Sequence, residues 1–260
     1  MIEEKRDKHF YEQRASDEMA RHFLSADYDV RQKLALAGRM LAREEHESAL
    51  AGQITARAER PGTFWTARFG YGLDEVTASN LLLVDDDLNP VEGEGMPNPS
   101  TRFHLWVYRA RPDVRCILHT HPPFVSALSM VGEELTVAHM DTTMFFEDCA
   151  YLADWPGVPF GDEEGEIISR ALGEKHAILL AHHGQLVACP SIEEAAVLAI
   201  FMERAAKMQI RARAIGPIRP IRAELAREAR QYRLKPKAIE ATFNYFARQV
   251  LRDEGDDAIK

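Results

Sequence analysis

Two short apolar runs in this 260-residue chain each end in a pair of histidines. Cys116-Ile117-Leu118 runs into His119-Thr120-His121-Pro122-Pro123, and Ala177-Ile178-Leu179-Leu180-Ala181 runs into His182-His183-Gly184. Apolar runs of this length, closed by polar residues, read as buried strands. Side chains alternate along a strand, so His119 and His121 project to the same side. Imidazole nitrogen is the commonest protein ligand for divalent transition metals. The chain must therefore bury two strands and bring their polar ends together. The pattern suggests a three-histidine centre.

The length suits one large domain or two small ones. Net charge is −9, from 41 acids against 32 bases, and no basic stripe is present. That disfavours nucleic acid as a partner. Cys116, Cys149 and Cys189 are odd in number and widely spaced. They read as free thiols in a reducing compartment. Met1 to Gln13 is charged without an apolar centre, unlike a signal peptide. No apolar run reaches the ~20 residues of a membrane span. The expectation is a cytoplasmic protein with a small-molecule substrate and no membrane or nucleic-acid partner.

Residues 1–16 are polar and expected to fray. Leu34, Leu36, Met40 and Leu41 share a helical face over Arg31–Glu44. Gly52–Arg57 and Thr63–Arg68 flank a Pro61-Gly62 turn and read as a hairpin. Leu81–Val84 reads as a buried strand, with Val91–Glu94 pairing back on it. A helix over Thr101–Arg111 stops at Pro112-Asp113, and another starts at Pro122. Leu135–His139 reads as a strand, and Gly165–Leu172 as a short helix. Ser191 with Glu194 forms a capping box, opening a long helix to about Ala214. Gly216-Pro217 and Pro220 mark a boundary, and helices over Ala223–Tyr232 and Lys237–Arg252 follow. Interspersed strands and helices favour a layered α/β domain with a mixed, largely antiparallel sheet.

Three features then occur in a specific order. Arg102-Phe103-His104 opens a helix ending in Arg111-Pro112-Asp113. His119 and His121 follow one strand later. An apolar strand ending in His183-Gly184 leads to Leu186-Val187-Ala188-Cys189 and a capped helix. From about Gln32 to Ala214 the chain resembles the class II aldolase/adducin family. The resemblance implies a three-layer α/β/α sandwich with a mixed, mostly antiparallel central sheet, plus C-terminal helices. It divides the chain into a 1–28 extension, a 29–216 domain and a 217–260 helical appendix. It implies a divalent metal on His119, His121 and His183, zinc first, with manganese or iron as alternatives. It also implies a homo-oligomer, a tetramer with sites at subunit interfaces.

The departures from the family pattern matter equally. Its sugar-phosphate aldolases carry Pro-Ser-Ser-Glu before Arg-Phe-His, whereas here Pro97-Asn98-Pro99-Ser100-Thr101 precedes Arg102. Ser100 stands at the catalytic glutamate's position, and a hydroxyl without an activating base cannot take up a proton at neutral pH. Asn98 and Pro99 replace phosphate-binding serines. Ala67-Arg68-Phe69-Gly70 replaces a Thr-Pro-Thr-Gly loop, and Gly52-Gln53 replaces a Gly-Asn element. These changes suggest a substrate without a phosphate monoester. Gln53, Arg68 and Asn98 are the candidate substrate-binding residues, with Arg68 suited to a carboxylate.

His139 falls roughly where the family's aldolases place a tyrosine acid. With Ser100 it completes the candidate catalytic set, and Glu147 and Asp148 are weaker substitutes. His139 reads equally as a core histidine. His104 reads as a support for the metal site or as a structural residue. His182 reads as a packed or surface residue. Phe64, Trp65, Phe69 and Tyr71 read as a pocket wall or as core.

Three functional readings remain at this point. The first is a metal-dependent lyase performing aldol cleavage or decarboxylation, with the metal stabilising an enediolate or enolate. The second is a non-heme iron(II) oxygenase on the same histidines. The third is a non-catalytic adducin-like interaction module.

Overall fold

Six of the segments read above as strands align in one sheet, and the helices between them cover both of its faces. The computed structural model describes residues 6–23 and 25–260. The strands are β1 (Gln53–Arg57), β2 (Phe64–Thr66), β3 (Leu82–Val84), β4 (Pro90–Glu92), β5 (Cys116–Thr120), β6 (Cys149–Leu152), β7 (Ala177–Leu180) and β8 (Gln185–Cys189). They lie in the order β4-β3-β2-β1-β5-β8-β7-β6. All neighbours are antiparallel except β6 and β7. The two histidine-bearing runs meet through β5 and β8, where His119 pairs with Leu186 and Thr120 with Gln185.

Strand alternation builds the two outer layers. Cys116, Leu118, Ala177, Leu179, Val187 and Cys189 point to one face. There they meet α2 (Val30–Arg43), α4 (Pro123–Met130), α6 (Ile192–Arg213) and α8 (Pro236–Glu254). Ile117, Ile178, Leu180, Leu186 and Ala188 point to the other face. There they meet α3 (Arg102–Ala110) and α5 (Asp162–Leu172). Both faces are apolar, as a sheet covered on both sides requires. The result is the α/β/α sandwich that the resemblance implied.

α2 opens on a full capping box between Asp29 and Gln32. At α6 only half of the expected box forms, with Ser191 Oγ accepting the Glu194 N–H at 3.1 Å. The C-terminal segment carries α7 (Ala223–Arg233) and α8. From α8, Ile239, Phe243, Phe246, Ala247 and Val250 join the same apolar cluster as α2 and α6.

Three local expectations need correction. Within residues 1–16 the described part is not frayed: α1 (Lys8–His22) starts where Asp7 Oδ1 accepts the Phe10 N–H at 2.9 Å. Residues 1–5 lie outside the described residues. Leu135–His139 is not a strand. Its backbone groups bond elsewhere: Thr136 donates to Gln209 Oε1 at 2.7 Å, and Ala138 and His139 both donate to Thr142 Oγ1 at 3.1 Å. Strand β6, which the sequence reading passed over, takes the parallel edge position instead.

Candidate metal centre

His119 is the next-to-last residue of β5, and His121 lies just beyond the strand, before α4. His183 sits in the turn between β7 and β8, held by its N–H to the Leu180 carbonyl at 3.1 Å. The turn places His182 at φ 56°, with its side chain turned out to solvent. The three remaining rings converge. Their centroids lie 4.8 Å (His119–His121), 4.7 Å (His119–His183) and 4.6 Å (His121–His183) apart. One ligand nitrogen from each lies within 4.8 Å of the others.

Hydrogen bonding fixes the key tautomer. His119 Nδ1 lies 2.8 Å from the Gln185 main-chain oxygen. A carbonyl can only accept, so Nδ1 carries the proton and Nε2 presents its lone pair to the centre. That Nε2 stands 2.9 Å from His121 Nε2. Two imidazole nitrogens this close are satisfied only by a proton or a cation between them. Burial holds the His119 pKa well below its ordinary value, helped by His183, His121 and His104. Burial lowers His121 as well, and burial with the neighbouring His121 lowers His183 to about 4. All three are therefore neutral near pH 7, the state in which imidazole binds a metal. The donor set fits a divalent cation. Three protein ligands leave a position open, as catalytic sites do and closed structural sites do not.

Close packing supports the triad from behind. A Cβ at Gly184 would collide with the Thr120 carbonyl oxygen and stand 2.9 Å from Cδ2 of His121. Only glycine lets the β7–β8 turn approach the His-Thr-His segment this closely. Glu203 on α6 is buried, and its two oxygens accept the N–H groups of Phe124 and Val125, each at 2.8 Å. It thereby pins the start of α4, directly after His121. On the opposite side of β5, His46 Nδ1 lies 2.9 Å from Thr120 Oγ1, and Gln185 Nε2 donates to that oxygen at 3.1 Å. His104 is buried at 2.9 Å from Thr55 Oγ1. The Phe103 ring meets both His104 and His119 edge-on.

A cavity of about 540 Å³ opens over the three imidazoles. Gln53, Asn98 and Ser100 line it, so three of the expected site residues share this space with the triad. Gln53 is buried, and its Oε1 has no hydrogen-bond partner. Asn98 Oδ1 accepts the Ser100 N–H at 3.0 Å, which caps the short 3₁₀ turn Pro99–Thr101.

Two expected residues lie elsewhere. Arg68 lines an adjoining cleft with Gln53, Asn98 and Tyr71, its guanidinium 5.3 Å from the centre of the Tyr71 ring. His139 is exposed and does not line the cavity. Its Nδ1 accepts the Asp141 N–H at 3.1 Å and so caps the 3₁₀ helix Met140–Phe145. Glu147 pairs with Arg227, and Asp148 with His176 and Arg230. Of the four aromatics read as a wall, only Phe69 lines the cavity. Phe64 is core, and Trp65 packs against the core with Arg31 over its ring. The wall comes instead from Trp155, Val158, Pro159 and Phe160 in the loop after β6. Their only sequence signal was an apolar cluster inside a Pro-Gly loop.

Residues 32–210 match the family described as Class II Aldolase and Adducin N-terminal domain. One similar protein is the 4-hydroxy-3-prenylphenylpyruvate oxygenase/4-hydroxy-3-prenylbenzoate synthase of Streptomyces roseochromogenus subsp. oscitans. It is 31% identical over 184 residues, which span 70% of this chain and 66% of that protein. Decarboxylase NovR of Streptomyces niveus is also 31% identical over 184 residues, spanning 70% of this chain and 68% of its own length. The chain thus spans about two thirds of the length of these relatives. The solved L-fuculose 1-phosphate aldolase of Glaciozyma antarctica PI12 aligns with a TM-score of 0.82 and 26% identity, covering 89% of this chain and 92% of that one.

Proposed function

This chain belongs to the class II aldolase and adducin family. On that premise we propose that it is a metal-dependent lyase, cleaving or decarboxylating a small carbonyl or carboxylate compound that carries no phosphate. The convergence of His119, His121 and His183, all neutral and with one tautomer fixed by Gln185, carries this reading. A divalent cation bound there supplies a positive charge for the carbonyl oxygen on which electron density collects during carbon–carbon cleavage.

The chain's own groups would do the rest. Gln53 offers an unpartnered Oε1 to a substrate hydroxyl. Asn98 and Ser100 offer polar contacts on the same wall. Ser100 holds its substrate but is not a base, so proton transfer falls to water or to a group outside the described cavity. His139 would serve that role only if another copy of the chain brought it there. Arg68 would reach a substrate carboxylate only by leaving Tyr71. Among the described residues the cavity lining contains no lysine or arginine, which suits an unphosphorylated substrate.

Zinc is the first metal on this reading, with manganese and iron next, since all accept imidazole. A cytoplasmic homo-oligomer, tetrameric as in many relatives, belongs to the same proposal. The test is elemental analysis of purified protein together with turnover of wild-type and His121→Ala. We expect one metal per chain and activity in the first, and neither in the second. Full turnover in verified metal-free protein would refute the mechanism.

A second reading has its own support. The Streptomyces roseochromogenus relative is named as an oxygenase, and a site lacking the proton-handling glutamate suits oxygen chemistry better than aldol chemistry. Oxygen uptake dependent on ferrous iron would favour it over the lyase.

A further inference from the structure

Behind the three imidazoles, on the α2 and α6 side of the sheet, a polar network stands where core is expected. Thr120 lies between His119 and His121 in the chain and points to the opposite face, since side chains alternate along a strand. His46, Thr120 and Gln185 meet there, all fully buried. Thr120 and Gln185 are direct partners across β5 and β8. Gln185 Nε2 donates to Thr120 Oγ1 at 3.1 Å and to the Ala199 carbonyl of α6 at 3.2 Å, which orients its amide. It also lies 3.2 Å from His46 Nδ1. Thr120 Oγ1, already accepting from Gln185, turns its own proton to His46 Nδ1 at 2.9 Å. His46 Nδ1 is therefore the acceptor, and Nε2 carries the proton. Burial lowers the His46 pKa to about 3, which keeps the ring neutral.

Packing alone does not explain a histidine here. Its Nε2 is buried with no hydrogen-bond partner. A leucine would fill the place without stranding a donor. The backbone nevertheless brings this ring in. α2 ends in a Schellman turn, in which Glu45 takes φ 65°, its N–H reaches the Ala42 carbonyl at 3.1 Å, and the His46 N–H reaches the Leu41 carbonyl at 2.9 Å. What His46 holds belongs to the ligand segments. Thr120 is bonded to both His119 and His121, and the main-chain oxygen of Gln185 accepts the Nδ1–H of His119. We propose that His46 is a positioning residue of the metal centre. Through the Thr120 hydroxyl and the Gln185 amide it holds the ends of β5 and β8 where His119 and His121 present Nε2 to one point. It touches neither cation nor substrate. The proposal rests on the three-histidine reading above and adds to it a residue from the far side of the sheet.

The test is zinc affinity of the full chain, measured by competition with a chromogenic chelator. Urea unfolding of the metal-free protein and the visible spectrum of the cobalt(II)-loaded protein accompany it. In His46→Leu we expect a urea midpoint at or above that of wild type, zinc binding weakened about tenfold, and a changed cobalt spectrum. His46→Asn puts an amide oxygen near the place of Nδ1, and should recover affinity to within about threefold of wild type. Thr120→Val removes the hydroxyl that His46 holds. Adding His46→Leu to Thr120→Val should then weaken zinc binding by less than about twofold more.

Wild-type zinc affinity and cobalt spectrum in His46→Leu overturn the proposal. So does an asparagine variant as weak as the leucine one. So does full additivity of His46→Leu and Thr120→Val, the mark of two independent defects. If His46→Leu does not fold, Thr120→Val decides: zinc binding about tenfold weaker supports the network, and unchanged binding sinks it. His183→Ala separates this proposal from the reading beneath it. Zinc binding that is absent in wild type, or that survives His183→Ala, removes the three-histidine centre and the proposal together. Zinc binding lost in His183→Ala but untouched in His46→Leu removes the proposal alone.

Discussion

The main-chain carbonyl of Gln185 accepts the Nδ1–H of His119 at 2.8 Å. Because the acceptor is backbone in a central strand, its position does not depend on the Gln185 side chain. The β5–β8 pairing that fixes this carbonyl also forms the middle of the sheet. The orientation of one candidate metal-ligating nitrogen is thus tied to a buried central strand pair.

That coupling predicts stabilisation by metal. The Nε2 atoms of His119 and His121 face each other at 2.9 Å, and a cation satisfies both at once. Saturating zinc, at a hundred times its dissociation constant, should add about 2.7 kcal/mol to folding stability. Differential scanning calorimetry with zinc and with a chelator reads the shift. His183→Ala should show almost none of it. An equal shift in that variant would place the zinc elsewhere.

Gly184 is the tightest point behind the site. A Cβ there would press on the Thr120 carbonyl and on His121. Gly184→Ala should therefore cost about 1–3 kcal/mol of stability from overpacking. It should also weaken zinc binding, because the relaxation displaces a ligand. Gly216→Ala is the control, since a Cβ there meets nothing within 4 Å. Urea unfolding and zinc competition measure the two effects. Wild-type zinc affinity in Gly184→Ala would show that the close approach does not position His121.

Glu203 should behave differently from a surface glutamate. Both its oxygens receive backbone N–H groups from the residues that follow His121-Pro122-Pro123. Glu203→Gln keeps the shape but turns an amide NH₂ toward one of those donors. The expected cost is about 1–3 kcal/mol, for a buried N–H left without an acceptor. Zinc affinity should fall with it, as the start of α4 loosens. If chemical denaturation finds the variant as stable as wild type, Glu203 is not the pin described here.

Much of this was legible from particular residues. The histidine doublets gave the triad because strand alternation puts His119 and His121 on one side. Leu34, Leu36, Met40 and Leu41 pointed to α2, but Leu36 and Met40 lie opposite Leu34 and Leu41 on the helix, and α2 is buried on both sides and not on one face. Other features depend on contacts that no local pattern encodes. Leu135–His139 alternates like a strand, but its N–H groups go to Gln209 and to the Thr142 hydroxyl. Strand β6 is a four-residue parallel edge, and its partner β7 lies beyond the whole of α5. Glu203 reads as an ordinary helix acid until α6 is seen to pack under α4. Trp155 and Phe160 look like loop punctuation until that loop is placed over the imidazoles. His139 was set beside the site by a loose correspondence with relatives, and its backbone instead leads into a helix cap.

Asp148 predicts how stability should depend on pH. Its carboxylate lies 2.8 Å from His176 Nδ1, accepts the His176 N–H at 3.0 Å, and pairs with Arg230 from α7. Burial would raise its pKa, but His176 and Arg230 outweigh that and hold it below the ordinary value. The hydrogen bond that His176 donates to Asp148 in turn raises the His176 pKa, against the effect of burial. A depressed carboxyl pKa gives stability that is full above the unfolded value, about pH 4, and is lost as pH falls through the folded value. A raised imidazole pKa gives stability that is full below the unfolded value, about pH 6.5, and is lost as pH rises through the folded one. The cluster therefore stabilises most between about pH 4 and 6.5, and weakens on both sides. Asp148→Asn should remove both limbs while lowering the plateau by about 1–3 kcal/mol. Unfolding free energies measured by urea from pH 3 to 9, spanning roughly the range in which these two groups titrate, check this. A variant profile running parallel to wild type would show that the Asp148–His176 pair does not control the dependence.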